Sequence, residues 1–180
     1  HRDFRGFAGR IDGGVFKPGD KVKTLPSGFI STIKTIELNG EQIKEAFPSM
    51  SVTMTLEDEI DNSRGDMIVR ENNVPEVGQD IEVIVTWMSI NPIKARTKVV
   101  VKHTTNECLA MVKELKYKVD INTLHRIEGI QEVAMNEIAR ISIRTSKPIF
   151  YDTYKKNRKT GSIIIIDEQT NETIGAGLII

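Results

Sequence analysis

The chain has 180 residues, with 25 Lys plus Arg against 25 Asp plus Glu, so no basic field of the kind that gathers nucleic acid or anionic lipid spans its whole surface. One cysteine, Cys108, and three scattered histidines exclude an intramolecular disulfide, offer no structural-zinc spacing and fit a reducing, cytoplasmic setting. No apolar run approaches the ~20 residues of a membrane span and no signal sequence opens the chain, leaving a length that suits one large domain or two small ones.

From Phe4 onward the segments are short and β-like. Phe4 to Ile11 ends at Asp12-Gly13-Gly14; Val15-Phe16 ends at Lys17-Pro18-Gly19-Asp20; Lys21 to Leu25 ends at Pro26-Ser27-Gly28. Each break carries Gly, Pro or Asp, the residues that turns demand. Phe29 to Leu38 is a predicted strand closed by Asn39-Gly40, the strongest short hairpin signal in the chain. Val52, Met54 and Leu56 alternate with Thr53 and Thr55, giving one apolar and one hydroxyl face. An acidic loop, Glu57 to Asp61, then leads through Arg64-Gly65-Asp66 to the strand Met67-Ile68-Val69. Evenly spaced strands with turn chemistry between them predict an all-β barrel or sandwich over residues 1–74.

Glu71 to Glu76 is polar, contains Pro75 and reads as a linker. A second β series, 75–180, follows it. Ile81, Val83, Val85 and Trp87 alternate with Glu82, Ile84 and Thr86, and Thr97 to Lys102 is another strand. Residues 108–119 fit two periods: Cys108, Met111, Val112, Leu115 and Val119 fall at helical spacing, while Leu109-Met111 and Leu115-Tyr117-Val119 alternate as strands. Periodicity alone does not choose, and the β neighbours favour strand. Val133 to Thr145 carries Ala139, Ile141 and Ile143 on one face. Ile163 to Ile166 are four consecutive isoleucines, predicted as a strand buried on both faces. Ile174 to Ile180 completes a terminal hairpin, with Gly175 and Gly177 on one face where something packs close to the backbone. Both chain ends lie close to predicted strands, which gives the expectation of an excised piece.

The candidate contact residues precede the isoleucines. Tyr151, Tyr154, Lys155, Lys156, Arg158 and Lys159 combine two aromatics with four cations, a set that suits an anionic partner surface, stacking and phosphate contacts with RNA, or simply a solvated loop. Other signals are weaker. Glu57, Asp58, Glu59 and Asp61 lack the glycine and final glutamate offsets of a calcium loop. Arg64-Gly65-Asp66 is explained by a turn entering a strand, and Gly175-Ala176-Gly177 has no helix after it, as a dinucleotide fingerprint needs. Gly14 to Gly19 comes nearest to a phosphate-cradling loop, but Asp20 stands where the lysine belongs. Cys108 and His103 lie near one another without a third orienting group, and read as a core thiol and an exposed imidazole. Trp87 reads as core or as a contact between the two barrels. These readings predict no catalytic, cofactor-binding or metal-binding residue.

The run Gly9-Arg10-Ile11-Asp12-Gly13-Gly14-Val15-Phe16-Lys17-Pro18-Gly19-Asp20-Lys21-Val22 resembles the second-domain barrel of translation-factor-type GTPases. Asp3 to Gly9, Leu25 to Gly28, Leu56 to Asp61 with Ser63 to Asp66, Val119 to Leu124, Asn136 to Ile138, Pro148 to Asp167 and Thr170 to Gly177 resemble the large, GTPase-bearing subunit of bacterial sulfate adenylyltransferase. Arg10 and Ala139 depart from that pattern, where a small residue and a glycine are commoner. The resemblance implies two consecutive β-barrels of the elongation-factor-Tu type, at 1–74 and 75–180, following a GTPase domain that is not in this sequence and that would hold GTP and Mg. It further implies a subunit that couples GTP hydrolysis to adenylyl transfer from ATP to sulfate, with a separate small catalytic subunit and its own GTPase domain as partners. On that reading this piece is non-catalytic. The alternative is an RNA-binding barrel module of a translation factor, against which the zero net charge speaks.

Overall fold

A computed structural model describes residues 5–180; Asp3 and Phe4, the expected start of the first strand, lie outside them. The described chain is all-β and forms two compact units that divide between Val74 and Pro75.

The first unit holds β1 (Phe7–Arg10), β2 (Lys21–Leu25), β3 (Ile30–Leu38), β4 (Glu41–Gln42), β5 (Ser51–Leu56) and β6 (Met67–Arg70). They form one antiparallel sheet in the order β1-β5-β3-β2-β6, with β4 on β3. Asn39 and Gly40 both have positive φ, 53° and 86°, which turns β3 tightly into β4 with a twist that matches the strands. Ile33 and Ile36 are both buried although three residues apart. A register shift between Ile33 and Thr35 explains this, because a bulge reverses the alternation. Val15-Phe16 makes only an isolated bridge, Phe16 to Ala46, and the Phe16 ring enters the core beside Val22, Ile36 and Met54.

The second unit holds β7 (Glu76–Trp87), β8 (Ile93–Lys94), β9 (Lys98–His103), β10 (Asn106–Val119), β11 (Arg126–Glu128), β12 (Glu132–Val133), β13 (Ile138–Tyr151), β14 (Ser162–Ile166) and β15 (Thr173–Ile179). The order β10-β13-β7-β15-β14-β9 returns through a β9–β10 pairing to its start, so six strands close a barrel and leave no edge within that ring. β11 lies outside it on β10, and β8 with β12 makes a separate short ladder. Residues 108–119 are strand. Register shifts between Val112 and Glu114 and between Leu115 and Tyr117 break the strict period of two, which is why the sequence fits a helix equally well.

Burial on both faces of the isoleucine strand is not what the barrel provides. Ile163 and Ile165 are buried, whereas Ile164 is 41% exposed. In a closed antiparallel barrel one face of each strand fills the interior and the other meets the outside. Gly175 and Gly177 serve close packing. A Cβ on Gly175 would stand 3.1 Å from Trp87 Cε3, and one on Gly177 would stand 2.9 Å from Ile163 Cγ1. Trp87 belongs to the core of its own barrel, and its Nε1–H donates to the Asn91 carbonyl at 2.7 Å.

Candidate functional site

β13 does not stop where its first pairing ends. After an irregularity beyond Arg144 the strand resumes its ladder, with Ile149 opposite Gly78, Phe150 opposite Val77 and Tyr151 opposite Glu76. The chain therefore leaves the sheet at Asp152, at the start of β7, and re-enters it at Ser162. The intervening corner is held by its own hydrogen bonds. Buried Asp152 accepts from Thr160 Oγ1 at 2.8 Å and pairs with Lys156 Nζ at 2.6 Å. The Thr153 carbonyl accepts from the amides of Lys156 and Asn157, and Asn157 Oδ1 accepts from the amide of Lys159 at 2.9 Å. Two further bonds fasten the corner to β15: Tyr154 N–H donates to the Ile179 carbonyl and Ile179 N–H to that of Gly161, each at 2.8 Å.

Gly161 is required by space. A Cβ there would stand 2.4 Å from the Cα and N of Tyr154, well inside any contact distance, and backbone cannot swing away as a side-chain tip can.

The six candidate residues divide by environment. Tyr151 packs against the barrel core; burial pushes its hydroxyl pKa up, with Glu76 adding to the shift. Its ring is thus committed to packing rather than stacking. Tyr154 is half-buried. Lys156 is spoken for by Asp152, whose hydrogen bond raises the ammonium pKa. Lys155, Arg158 and Lys159 are exposed, and among the described residues they form no ion pair. Several cations elsewhere on this barrel are matched: Asp80 holds Lys113 and Arg144, Glu82 holds Lys116 and Arg140, and Glu137 holds Lys118. The exposed Arg96, Lys98 and Lys147 also form no ion pair among the described residues.

His103 is not the exposed imidazole the sequence led us to expect. It is 1% exposed, at the inward-facing end of β9, and its Nε2 lies 2.7 Å from the Thr160 carbonyl. A carbonyl oxygen only accepts, so Nε2 carries the proton. Cys108 is buried too, and burial pushes its thiol pKa up, which keeps it protonated and a poor nucleophile at neutral pH. The frame residues Asp152, Thr160 and His103 formed no pattern in the sequence, since His103 and Thr160 are separated by 57 positions and meet only when β9 and β14 pair. Gly161, between four cations and four isoleucines, was the one legible sign of a tight corner.

The remaining sequence signals are structural. Asp58 joins Ser31, with Ser31 Oγ donating to its carboxylate at 2.8 Å. Gly65, at φ 101°, turns the chain into β6. At the Gly14 to Gly19 stretch, the Asp20 carboxylate accepts from the Lys17 amide at 2.9 Å and pairs with Arg70 at 2.7 Å. Burial pushes that carboxyl up, but Arg70 and the Lys17 amide outweigh it and hold the pKa below the usual range. An ionised carboxylate therefore fills the turn, and these residues do not fit a nucleotide phosphate. Among the described residues no group of three His, Cys, Asp or Glu could hold a metal ion, and no helix is long and apolar enough to cross a membrane.

An all-β chain of two small units, the second a closed six-stranded antiparallel barrel, is the architecture of the barrel domains of translation-factor GTPases. Crystal structures of Sup35 with GDP and with GMPPNP superpose with TM-scores of 0.85 and 0.87 over 96% of this chain, at 14% and 15% identity, and the match covers 43% and 42% of those chains. Residues 80–180 match the family described as GTP-eEF1A C-terminal domain-like, and the chain belongs to that family. Its similarity to proteins named sulfate adenylyltransferase subunit 1 and CysN/CysC is closer in sequence. "Sulfate adenylyltransferase subunit 1" of Bacteroides fragilis is 43% identical over 99% of this chain and 37% of its own length. "Bifunctional enzyme CysN/CysC" of Mycobacterium tuberculosis H37Rv is 41% identical over 100% of this chain and 30% of its own. The chain thus spans 37% and 30% of the length of these relatives.

Proposed function

We propose that this chain is the two-barrel regulatory and docking portion of a sulfate adenylyltransferase large subunit. In that role the whole protein couples GTP hydrolysis to the reaction of ATP with sulfate, giving adenylyl sulfate and pyrophosphate. GTP and Mg bind in a separate GTPase domain, and the small subunit carries the adenylyl-transfer site. The barrels transmit the nucleotide state by favouring one arrangement of the partners over another, which needs differential contact and no titrating side chain. The observation that carries the reading is the 43% identity to a protein of that name across 99% of this chain. The Asp20–Arg70 pair in the loop that comes nearest to a phosphate cradle supports a non-catalytic role for these residues, and Lys155, Arg158 and Lys159 offer a partner a surface.

Calorimetric titration of the chain with the small adenylyl-transferring subunit tests this, together with a GTPase assay of the chain alone. Saturable binding with no GTP turnover above background is expected. Turnover by the purified chain, or no binding to the subunit, would overturn the reading.

A further inference from the structure

Between residues 151 and 161 the chain sets Lys155, Lys156, Arg158 and Lys159 against a single acid, Asp152, leaving a formal +3 in a protein of zero net charge. The one acid is buried and already paired with Lys156. The surplus therefore resides on Lys155, Arg158 and Lys159, all exposed and, among the described residues, without an ion-pair partner.

These cations do not hang on a loose loop. The carbonyl of Arg158 accepts from Ser162 Oγ at 2.6 Å, the amide of Lys159 donates to Asn157 Oδ1, and the Thr160 carbonyl is anchored on buried His103. Gly161 lets the corner close against the backbone of Tyr154. A frame fixed before binding lowers the ordering entropy that a partner must otherwise overcome.

We infer that Lys155, Arg158 and Lys159 form a preorganised electrostatic dock for a carboxylate-rich patch on a folded partner protein. The inference rests on the docking role proposed above and narrows it to three of the six candidate side chains. Charge complementarity sets the sign of the partner surface. The choice of protein over RNA follows from the tyrosines: single-strand binding draws on aromatic faces open to bases, whereas Tyr151 is packed on the core and Tyr154 is half-buried. Lys156 contributes by neutralising Asp152, the one acid between residues 151 and 161; Glu76, exposed on β7 opposite Tyr151, borders the corner on the side of Lys156.

The test compares the full chain with K155E/R158E/K159E and K155A/R158A/K159A, titrated against the small adenylyl-transferring subunit at low and moderate salt, with bulk transfer RNA as a parallel ligand. Circular dichroism and thermal midpoint establish that the variants fold, as substitutions at exposed positions should allow. For the wild type, affinity for the subunit is expected to fall about tenfold as the Debye length is shortened from roughly 30 Å to roughly 10 Å. Reversal should weaken binding about 100-fold and neutralisation about tenfold, mostly through the association rate for exposed charges. Variants that bind the subunit as tightly as the wild type would overturn the dock and leave the docking role standing. Failure of the wild type to bind would overturn both. Tight binding to transfer RNA that the reversal abolishes, without subunit binding, would replace the acidic protein by a phosphate backbone and so overturn the inference.

Discussion

His103 and Thr160 meet inside the second barrel, with the imidazole Nε2–H donated to the Thr160 carbonyl at 2.7 Å. Through this bond the end of β9 holds the start of β14, and Thr160 Oγ1 passes the restraint on to Asp152. Replacing His103 by Leu removes the donor and leaves a buried carbonyl unsatisfied, at a cost of about 1–3 kcal/mol. Urea denaturation should show that loss, and amide exchange at residues 158–162 should accelerate with it. A variant as stable as the wild type would mean that water reaches the carbonyl and that the imidazole does not hold the corner.

Three glycines should rank by what a methyl group would meet. Gly161→Ala places Cβ 2.4 Å from backbone atoms of Tyr154, and the whole corner must shift. Gly177→Ala places it 2.9 Å from Ile163 Cγ1, where a rotamer change gives partial relief. Gly9→Ala meets nothing within 4 Å. Overpacking costs about 1–3 kcal/mol and more when the obstacle is rigid, so thermal midpoints should fall in the order Gly9→Ala, Gly177→Ala, Gly161→Ala, with the last the least stable. An equal effect at 161 and 177 would contradict the distinction between backbone and side-chain obstacles.

Much of this architecture was legible because it follows local rules. Asn39-Gly40 turned β3 into β4 as its residue types require, and Ile81, Val83, Val85 and Trp87 lined one face of β7 by simple alternation. What escaped the sequence depends on long-range pairing. The exposure of Ile164 follows from barrel closure, since four identical isoleucines carry no sign of which faces out. The burial of His103 follows from its place on the inner face at the end of β9, and the division of the basic corner into one paired and three unpaired cations depends on Asp152, whose burial no spacing announces. For β10 the bulges shifted the phase twice and blurred its period, so that the strand reading rested on its β neighbours and not on its own alternation.

Leu124 has φ 60°, in the left-handed region where a leucine is disfavoured and Asn or Gly is tolerated. It is also 76% exposed, so its side chain gains little from packing. Asp120 shapes this tip: its carboxylate accepts from the amides of Asn122 and Thr123, and Leu124 N–H donates to its carbonyl. Leu124→Asn keeps those backbone bonds and relieves the steric cost, and should stabilise the barrel by about 0.5–1 kcal/mol. A rise in the urea midpoint with an unchanged slope is the expected result, whereas a fall would show that the leucine side chain packs against something that its exposure does not reveal.

Acid should destabilise this protein through its matched carboxylates. Arg140, followed by Lys116, holds Glu82 below the usual carboxylate range. For Glu137 burial pushes upward, but the Lys118 ammonium and the Ala134 amide outweigh it and the net shift is downward. Asp120 and Asp167 are lowered by the backbone amides they cap. A carboxyl with a folded pKa below its unfolded one contributes stability that is fully present above the unfolded value, about 4, and is lost as pH falls through the folded value. The urea midpoint should therefore decline as pH is lowered from about 5 toward about 2. Glu82→Gln should flatten part of that decline, because the neutral amide cannot gain the proton, and it should lower stability at pH 7, where the charged pairing is lost. If the wild-type midpoint stayed level or rose over the acid range, the ion pairs across β7, β10 and β13 would be contributing nothing to the folded state.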